Sequence, residues 1–519
     1  TKNLQEQIYF KDLPALQSAL DVRFSATLMK GRGNYLCLHR WEAVRDAAGG
    51  ADRQVFLPIL EDWARRTKTG DRAELRDLPE DMALWRDVSA DAETCLGSEC
   101  PRYDDCFVTR MRQQAAESDV VIVNHHLLCA DAAVRHGDFG EVIPAAPTLV
   151  VDEAHQLEDV ATQYFGVSVS SARLEDLLRD VEREGGATIS ARLQATRVAE
   201  QARHVFWALR DPGAAERAAG AVDVVREFEL RQETRASKTR YTSDTLAHVR
   251  ESAQALVGAI AGLASALATP GEGRSLDEST ASLGRRAEEL RDDLRFLMKA
   301  DDLDFVYFLE VRGRSVLLRA APIHVARIAR QALFDRMRSV VLTSATMAVD
   351  GSFDYIRSRL GVERAHQIRV PSEFDYARQA LVYLPRRLPA PSAPSFAMAA
   401  AREVVEILRR SRGRAFVLFT SYAMLRSVQA QVETAVPYPI LVQGSAPRSA
   451  LIEQFRATPH AVLLATSSFW QGVDVVGDAL SCVIIDKLPF ASPGDPITAA
   501  RIEAIAARGG DPFGDYQVP

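Results

Sequence analysis

Three cysteines, Cys95, Cys100 and Cys106, fall within one short polar stretch, ETCLGSECPRYDDC, of a chain that carries only six. In a long, cysteine-poor chain, thiols clustered this way serve a metal or catalysis, since a secreted disulfide framework would use many more of them. A second stretch with chemical content is TLVVDEAHQ. Its β-branched run ends in Asp152 and Glu153, so two carboxylates fall at the carboxyl edge of a sheet, where nucleotides bind in open α/β folds. One carboxylate would hold Mg²⁺ through its water shell. The next would orient or deprotonate an attacking water, and His155 would couple the pair to a neighbouring element. An ordinary exposed strand end is the alternative for four residues taken alone. VVLTSATM repeats the design, with Thr343, Ser344 and Thr346 ending a strand in small hydroxyls able to bond to the acidic pair.

These groups need elements to place them. DVVIVN (119–124), TLVVD (148–152) and SVVLT (339–343) read as buried strands of a parallel sheet. ALVYL (380–384), AFVLF (415–419), AVLLA (461–465) and CVIID (482–486) read as a second group, and helical stretches such as AAAREVVEILRR alternate with them. From about 168 to 299 the texture changes to Ala, Leu, Glu and Arg with almost no strand signal. Leu246, Val249, Ala253, Leu256, Ile260, Leu263 and Leu267 recur in alternating steps of three and four, an a/d seam that Leu283, Ala287, Leu290, Leu294 and Leu297 repeat. Asp244 is the expected N-cap, and TPGEG ends the first helix. The pair reads as a helical hairpin inserted into an α/β protein.

With 519 residues the chain divides into two to four domains, and 47% hydrophobic with 26% charged residues is a soluble globular composition. A net charge of −7 gives no global case for a nucleic-acid partner, so any such case is local. No signal-peptide core opens the sequence, and the apolar stretch from Leu246 to Leu267 is broken by Ser252, Gln254 and Ser265, which makes it a poor membrane span.

DEAH, TSAT, FTSY (419–422), SSFWQGVDVVGDAL (467–480) and KLPF (487–490), in that order, resemble the motifs of a superfamily-two helicase. They are most similar to the DinG/XPD branch of iron–sulfur DNA helicases, especially its bacterial DinG-like members, and the resemblance runs essentially end to end. It implies two RecA-like parallel-sheet motor domains with an inserted iron–sulfur domain and an inserted α-helical arch. The implied layout is motor domain one at 1–25, 116–165 and 305–365, the cluster domain at 26–115, the arch at 166–304 and motor domain two at 366–519. It implies ATP and Mg²⁺ at Asp152, Glu153 and His155, with Ser344, Thr346, Gly472 and Asp474 coupling the nucleotide to motion. Gln471 departs from the Glu more usual in the family. The resemblance further makes Cys37 the first of four ligands, with Cys95, Cys100 and Cys106, to a [4Fe–4S] cluster. Zinc and metal-free reduced thiols are the alternatives. Cys129 and Cys482 read as small buried side chains.

Lys30, Arg32 and Arg40, with Tyr35 among them and no acidic residue, suit a DNA strand, with phosphates neutralised and bases stacked. A solvated loop would look alike. Thr420 and Ser421 of FTSY would bind the DNA backbone, and a helix N-cap is an equally good reading of that stretch. The partners implied are single-stranded and forked DNA and replication or repair proteins, for a monomer in the bacterial cytoplasm near the nucleoid. The expected motion is 5′ to 3′. No G-x-x-x-x-G-K-[ST] loop occurs, and the family's last Gly/Arg motif is absent. The sequence also opens with Thr and stops at GDYQVP, so the expectation is a chain shortened at both ends and inactive alone. The rivals are a DNA-binding remnant without a motor and an RNA helicase.

Overall fold

The computed structural model describes residues 2–45, 51–75, 83–90, 95–136, 141–184, 187–210, 237–270, 278–312, 315–466, 469–470, 473 and 475–518. Twelve strands are described: β1 (Ala26–Leu28), β2 (Val120–Ile122), β3 (Thr148–Val151), β4 (Val167–Ser170), β5 (Ser237–Arg240), β6 (Phe305–Arg312), β7 (Ser315–Pro322), β8 (Ser339–Leu342), β9 (Ala415–Phe419), β10 (Ile440–Val442), β11 (Val462–Thr466) and β12 (Cys482–Ile485). The fold is mixed α/β with parallel sheets, and the chain divides into two compact units: residues 1–124 with 366–490, and 125–365 with 491–519.

In the first unit, β10, β11, β9 and β12 form a parallel sheet in that order. Its two central strands are apolar at nearly every position because both faces are covered. Ala415, Val417, Phe419, Val462 and Leu464 pack on the helices Phe396–Ser411 and Tyr422–Ala435, while Phe416, Leu418, Leu463 and Ala465 pack on Leu451, Ile452 and Phe455 of Arg448–Ala457. A separate parallel pair, β1 with β2, places Ala26 opposite Val120. The strand expected at 380–384 does not form. Leu381 is 93% exposed and Leu384 78%, and without a partner strand an apolar run has neither ladder bonds nor a face to bury.

In the second unit, β3 pairs with β8 in parallel, Val151 opposite Leu342. The strands expected around DEAH and TSAT are therefore present, but as a pair whose Val150 and Val341 remain exposed rather than as a buried sheet. An antiparallel sheet, β4-β7-β6-β5, occupies positions where almost no strand signal was expected (β4 and β5) and continues through the β6–β7 hairpin. One face of that hairpin, through Tyr307, Val316, Leu318 and Ala320, packs on the helices Ser171–Arg183, Ile189–Arg210, Arg250–Ala268 and Glu278–Lys299. The other, through Val306, Phe308 and Ala321, packs on Ala500 and Ile497 of the helix Pro496–Ala507.

Both seams are buried as their spacing requires: Leu256, Ile260, Leu263, Leu267, Leu290, Leu294 and Leu297 are each at most 1% exposed. Although Ala247–Ala268 is long and apolar enough to cross a membrane by composition, its seam lies in this core. Asp244 is not the N-cap. A 3-10 turn, Ala247–Val249, precedes the helix, and it is the Asp244 carbonyl that accepts the Ala247 amide. The first seam helix ends at Ala268, as TPGEG predicts.

Candidate functional site

β3 delivers Asp152 and Glu153 at its carboxyl end, and the chain then turns sharply. Glu153 takes a left-handed backbone, φ 50° and ψ 44°, which a non-glycine residue adopts only at a cost. A 3-10 turn, Ala154–Gln156, follows and runs into the helix Leu157–Tyr164. The β3–β8 ladder holds the turn in place, since the Thr343 amide donates to Val151 O at 2.9 Å and the Ala154 amide to Thr343 O at 3.0 Å. Strand pairing therefore sets DEAH against TSAT.

Ser344 is where the two motifs meet. Its hydroxyl donates to Glu153 Oε2 at 3.0 Å. A hydroxyl has one proton, so its other partners must donate to it: the Thr346 amide at 3.2 Å and His155 Nδ1 at 2.8 Å. That accounting puts the His155 proton on Nδ1, which also lies 3.3 Å from Glu153 Oε2. Four of the residues singled out from the sequence, Glu153, His155, Ser344 and Thr346, thus form one hydrogen-bonded group. Asp152 is exposed, and its carbonyl receives Nε2 of His125 at 2.8 Å. Burial lowers the His125 pKa, so the ring is neutral and its Nε2–H is the donor. Among the described residues no three His, Cys, Asp or Glu side chains converge as a metal cage. Mg²⁺ does not require one: it keeps most of its waters and uses one or two carboxylates with substrate phosphates, which the Asp152–Glu153 pair fits.

In the other unit, Cys37 precedes the helix Leu38–Arg45, and Cys106 is the N-cap of Phe107–Ala116. Burial raises the Cys37 thiol pKa, the amides of Arg40 and His39 pull it down, and the nearby Cys106 raises it further. Cys95 is exposed, Cys100 and Cys106 are half-buried, and none of the four forms a disulfide. Burial, and next the nearby Arg32, lower the pKa of Arg112, which sits on the Cys106 helix near Cys95. Its Nε is buried with no partner. The donors fit an iron–sulfur cluster in number and kind, and a cube of iron and sulfide spreads its ligands wider than a single ion does.

The cationic stretch expected to meet DNA is mostly committed to the fold. Lys30 is 3% exposed and pairs with Asp71 at 2.7 Å and Glu6 at 2.9 Å. Tyr35 is also 3% exposed; its hydroxyl accepts the Lys30 amide, and burial pushes its pKa up to about 12. Arg40 donates to the carbonyls of Ser89 and Arg86. Among the described residues, the half-buried Arg32 side chain makes no contact of this kind. Ser421 caps Tyr422–Ala435, accepting the Met424 amide, and Thr420 donates its amide and hydroxyl to Asp486. The capping alternative thus holds for Ser421. Asp486, which the sequence reading did not single out, ties FTSY to the strand before KLPF. Gly472 and Asp474 lie outside the described residues. Trp470 packs against the core beside Phe469, and Cys129 is fully buried with its thiol pushed up to about 12.

The family model described as a helicase C-terminal domain matches residues 404–519. The chain is 38% identical over 528 residues to the ATP-dependent DNA helicase YoaA of Escherichia coli K12, covering all of this chain and 79% of that protein. YoaA of Haemophilus influenzae is 36% identical, with 100% and 78% covered. The ATP-dependent helicase DinG of Mycobacterium tuberculosis H37Rv is 32% identical, with 98% and 76% covered. Among solved structures, Xpd4 of S. tokodaii matches 78% of this chain and 74% of its own at 16% identity and a TM-score of 0.45. The identities and their end-to-end coverage place the residues just described in a known lineage: the chain belongs to the YoaA/DinG family of ATP-dependent DNA helicases.

Proposed function

We propose that this protein couples ATP hydrolysis at the DEAH turn to 5′-to-3′ movement on single-stranded DNA and to the opening of forked duplexes in repair or replication. The observation that carries the reading is the Glu153–Ser344–His155 group. A strained acidic turn is bonded across a parallel strand pair to the hydroxyl motif that follows the neighbouring strand. With nucleotide and Mg²⁺ bound, Glu153 would orient an attacking water, held in place by Ser344 and His155. The names of the relatives support ATP and DNA as ligands. Two RecA-like layers, residues 166–304 as an arch and residues 26–115 as a cluster module acting at the duplex junction complete the proposal. Cys37, Cys95, Cys100 and Cys106 would hold the [4Fe–4S] cluster. The protein would work as a monomer in the bacterial cytoplasm.

No G-x-x-x-x-G-K-[ST] loop lies in these 519 residues, so the test uses the protein as its gene encodes it. ATP turnover stimulated by single-stranded DNA, with separation of forked DNA labelled on one strand, is the expected result. Turnover stimulated only by RNA would replace DNA by RNA in the reading, and no stimulated turnover would overturn it. Protein purified without oxygen should hold about four irons and four acid-labile sulfides per chain, lost in Cys95→Ser. One zinc and no iron would remove the cluster.

A further inference from the structure

Three helices, each following one of the motifs, converge on a buried ion triad. Leu157–Tyr164 grows directly out of the DEAH turn and carries Glu158, which is 7% exposed. Asp354–Leu360 follows TSAT and carries Arg359, whose Nε donates to Glu158 Oε2 at 2.9 Å while its Nη2 binds Oε1. Pro496–Ala507 follows KLPF in sequence and carries Arg501, 2% exposed, whose Nη2 lies 3.0 Å from the same Oε1. Arg501 has further partners in every direction: Nε donates to Ile323 O at 3.1 Å, Nη2 to Thr162 Oγ1 at 2.8 Å and Nη1 to the Tyr516 hydroxyl at 3.3 Å. The Tyr516 ring lies against both guanidiniums, 5.2 Å from Arg359 and 5.7 Å from Arg501.

A surface charge would need none of this. A guanidinium removed from water is retained only where its donors are matched, and here the matching acceptors come from three separate segments. The backing is rigid. Gly361 caps the Arg359 helix at φ 73°, where an added Cβ would stand 2.3 Å from Ala326 O. Asp495 caps the Arg501 helix, accepting the amides of Ile497 and Thr498, and is itself fixed by Lys238 at 2.6 Å. Burial by itself would lower the Arg359 pKa, yet the hydrogen bonds and charge of Glu158 carry it above the ordinary guanidinium value. Arg359 therefore stays charged.

We infer that Arg501 is a positioning residue for the DEAH turn, acting through Glu158, which stands three residues beyond His155 on the helix that the turn begins. The triad fixes the start of that helix, and with it the angle at which Glu153 and His155 meet Ser344. The inference rests on the reading of the DEAH turn as the hydrolysis site, but its main test does not.

That test is hydrogen–deuterium exchange of this chain and its Arg501→Met variant, comparing residues 152–164 with the seam helix Arg250–Ala268. The expected result is exchange at least tenfold faster at 152–164 with the seam helix unchanged. Unchanged exchange at 152–164 would overturn the inference, and equal acceleration in both regions would reduce Arg501 to a general stabiliser and overturn it too. If Arg501→Met does not fold, Glu158→Gln, which keeps the shape and removes the charge, is read the same way. In the protein as its gene encodes it, Arg501→Met should lower the kcat of ATP hydrolysis about tenfold with KM for ATP within about twofold. A wild-type protein without turnover would defeat the hydrolysis reading while leaving the exchange result to decide the role of Arg501.

Discussion

Replacing Ser344 by alanine removes one oxygen and leaves three groups looking for it. Glu153 Oε2 loses its hydroxyl donor, and the His155 Nδ1–H and the Thr346 amide lose their acceptor. A hydrogen bond to a charged group contributes about 1.5–3 kcal/mol. The side chains of Glu153 and His155 are 38% and 28% exposed, so water replaces part of the loss. His155 Nδ1, already 3.3 Å from Glu153 Oε2, recovers some of the rest by closing directly on the carboxylate. That leaves about 1–2 kcal/mol, or roughly a 5- to 30-fold fall in kcat for ATP hydrolysis. On the proposed role the group orients the water rather than gripping the nucleotide, so KM should move little. The assay is steady-state ATP turnover by the protein as its gene encodes it, with saturating single-stranded DNA, run beside Ser344→Thr, which keeps the hydroxyl. Turnover of Ser344→Ala within twofold of wild type would refute the argument. An equal loss in Ser344→Thr would refute it differently, by showing that shape rather than the hydroxyl matters.

The Lys30 ammonium is lowered by burial but raised by more through Asp71 and Glu6, so its folded pKa stands above the ordinary 10.5. A raised base stabilises the fold fully below its unfolded pKa and stops doing so as pH climbs through the folded value. Lys30→Met should cost about 3 kcal/mol near neutrality, and the gap to wild type in chemical denaturation should narrow only above about pH 10.5. Gly70→Ala should cost at least ~2 kcal/mol in the same assay, because φ is 66° and the new Cβ would fall 2.3 Å from the Phe107 ring. In metal-free protein at about pH 8, iodoacetamide should label exposed Cys95 early and Cys129 last, since burial holds that thiol near 12 and out of reach; mass spectrometry of timed samples reads the order.

Strands were legible where both faces of a sheet are covered. AFVLF and the run around AVLLA are apolar throughout because helices pack on each side, and β9 and β11 form within a residue of the expected bounds. The seam helices were legible for a similar reason, since a repeat of three and four residues has one simple structural solution. The antiparallel sheet was harder. β4, VSVS, and β5, SKTR, contain little apolar surface, and their pairing is supplied by the β6–β7 hairpin, distant in sequence. ALVYL failed in the opposite sense: it has strand composition, but composition does not provide a partner.

The site divides along the same line. Asp152, Glu153, His155 and Ser344 could be named because a motif places them at strand ends, and parallel pairing then brings strand ends together whatever lies between them in the chain. Lys30 and Tyr35 were misleading because a cation beside an aromatic reads the same whether it faces a phosphate or a buried carboxylate. The carboxylates that settle the matter, Glu6 and Asp71, lie far from LMKGRGNYLC in sequence. Arg501 is the extreme case. In PITAARIEAIAA it is one of two charges, with Glu503, on an Ala- and Ile-rich helix, where local sequence predicts a solvated side chain. Its partners come from residues 158, 162, 323 and 516. Each partner alone is unremarkable, and only the packing of the Pro496–Ala507 helix on β6 and β7 makes them neighbours. Motifs therefore reveal the groups that touch the reaction, whereas the groups that aim them are fixed by long-range packing. A buried charge with acceptors drawn from several motif-bearing helices is the structural sign by which such groups are found.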